Sequence, residues 1–152
     1  MRLQKAEDKL NEKKAKVRLE KLWNVDLYEN PQFYHADWQA MREDKHLALL
    51  EYKKSFKSIE EISQEHEGFR MGVNKFQFAY PICKIGRDQK FYFIIEFPEG
   101  MLQHKFRAED NFYPMSRFFK SRNGGSDRQP CYVIPWDLFE EVNSAEFDST
   151  NL

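Results

Sequence analysis

"DWQAMREDKHLALLEYKKS", residues 37–55, decides how this chain is read. Four apolar residues, Leu47 to Leu50, run directly into Glu51 and Lys53. "FYHADWQAM" (33–41) and "HLALLEYKK" (46–54) have strand composition, and "REDK" between them is polar and short enough for a hairpin. With Glu43-Asp44-Lys45 as the loop, Met41 faces Leu47, Gln39 faces Leu49 and Asp37 faces Glu51. Lys53, two residues past Glu51, points the same way. Two carboxylates and an ammonium then converge on one sheet face. A one-residue bulge would shift this register.

Acid-any-lysine tripeptides are weak signals, and this chain contains five. Only Glu51-Tyr52-Lys53 follows an apolar run; the others sit in polar, helical or turn contexts. Two adjacent carboxylates repel unless a cation lies between them. Hard oxygen donors suit Mg²⁺, or Mn²⁺, bound through one or two carboxylates and a substrate phosphate. The plain alternative is a charged cluster on a solvent-facing edge.

Working outward, residues 3–22 read as a helix with a thin apolar stripe, Leu3, Leu10 and Val17. Residues 24–32 read as a loop. Ser58 and Glu61 fit a capping box in the polar connector 58–68. Phe69, Val73, Phe76, Tyr80 and Cys83 recur at helical spacing, which predicts a helix to about Ile85. "KFYFIIEF" (90–97) is the strongest strand and belongs at a sheet centre. "MLQHKF" (101–106) pairs back as an outer strand, 111–130 reads as irregular, and "CYVIPW" (131–136) is a last strand. Residues 143–152 are expected to fray. The order predicts a mixed α/β (α+β) fold in one domain, 1–152, around a central mixed sheet.

Composition narrows the rest. With 41% hydrophobic and 16% aromatic residues, 152 positions can bury one core. The net charge of −1 excludes a globally basic nucleic-acid binder. No run of about 18 apolar residues exists, and the N-terminal segment lacks a signal-peptide apolar region, so a cytoplasmic protein is expected. Cys83 and Cys131 lack metal-ligand spacing, and the histidines share none. Between residues 112 and 128, Arg117, Lys120, Arg122 and Arg128 alternate with Phe112, Tyr113, Phe118 and Phe119. Cations hold phosphates and aromatics stack bases, so this loop is a candidate nucleic-acid grip, with Lys54 and Lys57 extending a basic rim.

The sequence of helix, Asp-bearing strand, strand ending Glu-x-Lys, helix and hydrophobic strand resembles the PD-(D/E)XK, or restriction-endonuclease-like, nuclease superfamily over about residues 15–97. The resemblance implies that Asp37 and Glu51 bind Mg²⁺ and that Lys53 positions or activates the attacking water. Ala36 stands where many members have proline. Members often carry another acid on the first helix; Glu20 is the best match, with Glu12 and Glu29 competing. The expectation is a Mg²⁺-dependent nuclease acting on DNA. The alternatives are an inactive module of the same fold that binds nucleic acid or a partner protein as an inhibitor, and a protein that forms a homodimer through residues 3–22.

Overall fold

The computed structural model describes residues 2–31, 36–72, 90–107, 113–120 and 126–148, with the backbone alone for 2–5, 113–120 and 126–130. The chain order is α1 (Arg2–Trp23), β1 (Asp26–Glu29), β2 (Trp38–Arg42), β3 (Lys45–Lys54), α2 (Ile59–Glu65), β4 (Gly68–Gly72), β5 (Lys90–Phe97), β6 (Gly100–Lys105), β7 (Tyr113–Lys120), β8 (Ser126–Pro135) and β9 (Glu140–Glu141). A 3₁₀ turn, Trp136–Leu138, precedes β9.

Six strands form the central sheet in the order β1-β2-β3-β5-β6-β9. β3 and β5 run parallel and the other neighbours antiparallel, so the sheet is mixed. The apolar runs of β3 and β5 sit side by side at its centre, Leu50 opposite Tyr92 and Glu51 opposite Phe93. A second, antiparallel sheet has the order β4-β8-β7.

Each strand turns alternate side chains to two cores. On one face Leu50, Tyr52, Tyr92 and Ile94 pack with Ala15, Leu19 and Trp23 of α1. On the other, Leu49, Phe91, Phe93 and Ile95 pack with Met71 of β4 and Ile134 of β8, and Ile59 and Ile62 of α2 lie against them. Apolar surface removed from water contributes about 25 cal/mol per Å², and these two layers hold most of the buried aromatics.

The joints explain themselves locally. Asn24 takes a positive φ of 51° just after α1, a common helix stop. Arg42 closes that helix end from outside. Its Nη2 donates to Trp23 O at 2.6 Å, its Nε to Asn24 O at 2.9 Å and its Nη1 to Phe147 O at 2.7 Å. Glu43 and Asp44 both have positive φ, the conformation a two-residue hairpin turn requires. Ser58 caps α2, accepting from Glu61 N–H at 3.1 Å, as the capping box predicts. Gly68 is obligatory by contact: a Cβ there would lie 2.2 Å from Ile134 O.

Five expectations change. Residues 26–29, read as loop, form β1 along β2, an edge strand with only Leu27 buried. Phe69–Gly72, read as the start of a helix, is strand β4 paired with β8; the remainder of that predicted helix, including Cys83, lies outside the described residues. The segment read as irregular contributes β7 and the first half of β8, an antiparallel hairpin. Of the tail expected to fray, residues 143–148 are described, and Phe147 is fully buried against Trp23 and Tyr92. β6 is not outermost either, because the two-residue β9 pairs along it. Among the described residues no helix is long and apolar enough to cross a membrane.

Candidate active site

β2 and β3 pair with Gln39 opposite Leu49, as the sequence predicts, but a bulge between Ala40 and Met41 puts Met41 opposite His46 rather than Leu47. The bulge lies on the turn side, so the register toward Asp37 is kept through Trp38 opposite Leu50. Asp37 sits just before β2, and main-chain groups flanking Glu51 hold it. Its N–H donates to Leu50 O at 2.8 Å, and its Oδ2 accepts from Tyr52 N–H at 2.8 Å.

Asn30 locks the bend that carries Asp37. Its N–H donates to Asp37 O at 2.9 Å and its Nδ2 to Ala36 O at 3.0 Å, while its Oδ1 accepts from Gln39 Nε2 at 2.6 Å. Sequence reasoning passed over Asn30. The only signal for it is its place before Pro31, which reads as a loop end.

Glu51 is 3% exposed, at the point where β3 leaves the core. Lys53 is exposed, with Nζ 4.0 Å from Glu51 Oε1. A carboxylate this buried needs a counter-charge, and one turn of the pleat supplies it from the solvent side. The structure thus brings Asp37, Glu51 and Lys53 to one end of the β2–β3 pair.

The candidate helix acids, Glu20 and Glu12, lie in different surroundings. Glu20 is turned to the β1 side, where its Oε2 accepts from Leu27 N–H at 3.1 Å. Glu12, two turns earlier, stands in the field of the site. Burial raises its pKa, and the nearby charge of Asp37 raises it further, with Glu29 and Asp8 adding and Lys53 opposing. The first half of α1 therefore overhangs the charged end of β3, and Lys54 Nζ donates to Asn11 Oδ1 at 3.3 Å there.

Below Lys54 a second buried acid is wired differently. Glu96 accepts from Tyr52 OH at 2.6 Å and from Arg18, and Lys54 Nζ lies 3.9 Å away. Burial and the Glu96 hydrogen bond push the Tyr52 phenol far above its ordinary pKa, so it stays a neutral donor.

The proposed rim is mixed. Lys57 is engaged in an exposed ion pair, donating to both oxygens of Glu65 at 3.0 and 2.9 Å. Arg117 and Lys120 lie on β7, whose backbone alone is described, and Arg122 lies outside the described residues.

Among the described residues no three His, Cys, Asp or Glu side chains form a group able to hold a metal. The donor chemistry fits a cation that needs few protein ligands. Asp37 is oriented by the Tyr52 amide through one oxygen, Glu51 lies between the two residues whose main chain holds Asp37, and Glu12 is close enough to feel the charge of Asp37. Hard carboxylate oxygens in that number suit Mg²⁺, which keeps waters and completes its shell with phosphate oxygens.

Residues 2–142 match the profile of a family described as "Phage putative PDDEXK endonuclease". No curated protein and no solved structure matches the chain.

Proposed function

The chain belongs to that phage PDDEXK endonuclease family, a nuclease family, and from this premise we propose that it is a Mg²⁺-dependent nuclease hydrolysing phosphodiester bonds in DNA, with Asp37, Glu51 and Lys53 as its centre. The carrying observation is the seating of Asp37 on the main chain either side of Glu51, with Lys53 Nζ 4.0 Å from the Glu51 carboxylate.

Asp37 and Glu51 would hold Mg²⁺ or Mn²⁺, and Glu12 is better placed than Glu20 to join them from the helix. A divalent ion so held supplies a Lewis acid and lowers the pKa of a bound water. The chain's own residues do the positioning. The Tyr52 amide fixes the Asp37 carboxyl, Asn30 fixes the main chain that carries it, and the β3–β5 core fixes Glu51. Lys53, exposed beside them, would stabilise negative charge growing on the phosphate and orient the incoming water.

The test is cleavage of supercoiled plasmid with Mg²⁺ or Mn²⁺, with and without EDTA. Metal-dependent nicking is expected. Asp37→Asn, Glu51→Gln and Lys53→Ala should each abolish it in folded protein, with losses far from additive. Calorimetry should show metal binding lost in the two carboxylate variants and kept in Lys53→Ala. Full activity in any of the three would sink the assignment. DNA binding without cleavage under every metal condition would favour an inactive binding module instead.

A further inference from the structure

Phe56 is 70% exposed, the most exposed of the large apolar side chains among the described residues. One exposed aromatic is ordinary on a protein surface. Here three other observations meet at it.

The first is position. Phe56 follows Lys53 by three residues, so its Cα lies within about 11 Å of the Lys53 Cα. In B-form spacing that is about three base steps. The second is rigidity. Ser55 N–H donates to Glu96 O at 2.8 Å, Ser55 Oγ donates to Lys57 O at 2.9 Å, and Ser58 caps α2. The loop carrying Phe56 is therefore tied down on both sides, and a partner stacking on the ring orders little that is not already ordered. The third is the surroundings. Lys54 Nζ lies 5.8 Å from the ring centroid. A groove of about 340 Å³ adjoins the ring, lined by two cations, Arg18 and Lys54, and two acids, Glu96 and Glu99, with Pro98 and Gly100 among its other residues. Glu96 holds both Arg18 and Lys54 at this groove.

We propose that Phe56 is the stacking platform for an unpaired nucleobase within about three nucleotides of the scissile phosphate, with Lys54 and Arg18 facing the flanking backbone. The inference rests on the nuclease reading above and narrows it: the favoured substrate is single-stranded or locally unpaired nucleic acid. A flat, rigid π-face beside cations is what sequence-tolerant binding of single strands uses. Bases within an intact duplex offer no free face to it.

The experiment uses the full chain carrying Lys53→Ala, in millimolar Mg²⁺, and a single-stranded oligodeoxynucleotide containing 2-aminopurine, alongside its duplex. With Phe56 intact, binding should quench 2-aminopurine fluorescence and favour the single strand. Phe56→Ala should weaken single-strand binding roughly 5- to 100-fold and lose the quench, whereas Phe56→Trp should keep both. Melting temperatures should agree, because the ring is exposed. Unchanged affinity and quench in Phe56→Ala would overturn the platform, and so would Phe56→Leu binding as well as Phe56→Trp. Absence of any nucleic-acid binding with Phe56 intact would overturn the nuclease reading itself, which separates the two failures.

Discussion

The two ends of α1 are made of similar helix-forming residues and live in different environments. From Ala15 to Trp23 the helix is fastened. Ala15, Leu19 and Trp23 are buried, Trp23 Nε1 donates to Asn143 O at 2.8 Å, Glu20 accepts from the β1 backbone, and Arg42 collects the terminal carbonyls. From Asp8 to Glu12 it has no buried side chain, and Leu10 is 51% exposed. Yet this loose end brings Glu12 to Asp37 and Lys53. One half of the helix spends its side chains on stability and the other leaves its acids poised over the charged end of β3. Charged groups are tolerated there because they are not needed for packing, and the fastened half makes that tolerance possible.

The contrast can be broken at several strengths. The largest effect is expected from Trp23→Ala, a fully buried ring stacked edge-on with Phe147; it should destabilise by about 3–5 kcal/mol in denaturant titration. Arg42→Ala should come next, at about 2 kcal/mol, since it strands carbonyls that a guanidinium had satisfied. A loss under 0.5 kcal/mol in the same titration would mean that water replaces it and that the helix end needs no clasp.

Glu12→Gln sharpens the comparison from the other side. Burial first, then Asp37, holds the Glu12 pKa above that of the unfolded chain. The folded state thus binds this proton more tightly, and stability from this group falls as pH rises through the raised pKa. At pH 7 ionised Glu12 is a net penalty, so Glu12→Gln should raise the metal-free melting temperature slightly. The gain should fade as pH falls toward the ordinary carboxylate range, about 4.3. The same change should lower nuclease activity, whereas Glu20→Gln should leave the chemistry intact. Activity lost in Glu20→Gln and kept in Glu12→Gln would reverse the assignment. The smallest effect is expected from Leu10→Ala, within about 0.5 kcal/mol by thermal melts. A larger loss there would show the loose half to be fastened after all.

The elements with strong local signals were legible in the sequence. The apolar runs of β3 and β5, the Ser58 cap and the extent of α1 follow from composition and spacing. The convergence of Asp37 on Glu51 followed from counting a hairpin register, and the bulge left it intact because the slip fell on the turn side. The failures have physical causes. β1 is an edge strand whose one buried residue, Leu27, leaves no alternation to detect. β4 is five residues long, and Phe69 happened to fall at helical spacing from residues further on. Glu12 and Glu20 are indistinguishable as letters. Which one reaches Asp37 depends on how α1 lies across the sheet, and that is set by Trp23, Tyr92 and Phe147 packing together, a long-range fact.

Phe147 also bears on how the molecule is made. A ribosome produces Trp23 early and its hydrogen-bond partner Asn143 120 residues later. At about 5–20 residues per second, the two are separated by roughly 6–25 s of synthesis. During that time the buried stripe of α1 has only part of its seat, since Tyr92 arrives midway and Phe147 only after Asn143. The helix that carries Glu12 over β3 is therefore docked in its final pose only after residue 147 has emerged. A nascent chain therefore holds all of β3 long before α1 has its complete seat against the sheet.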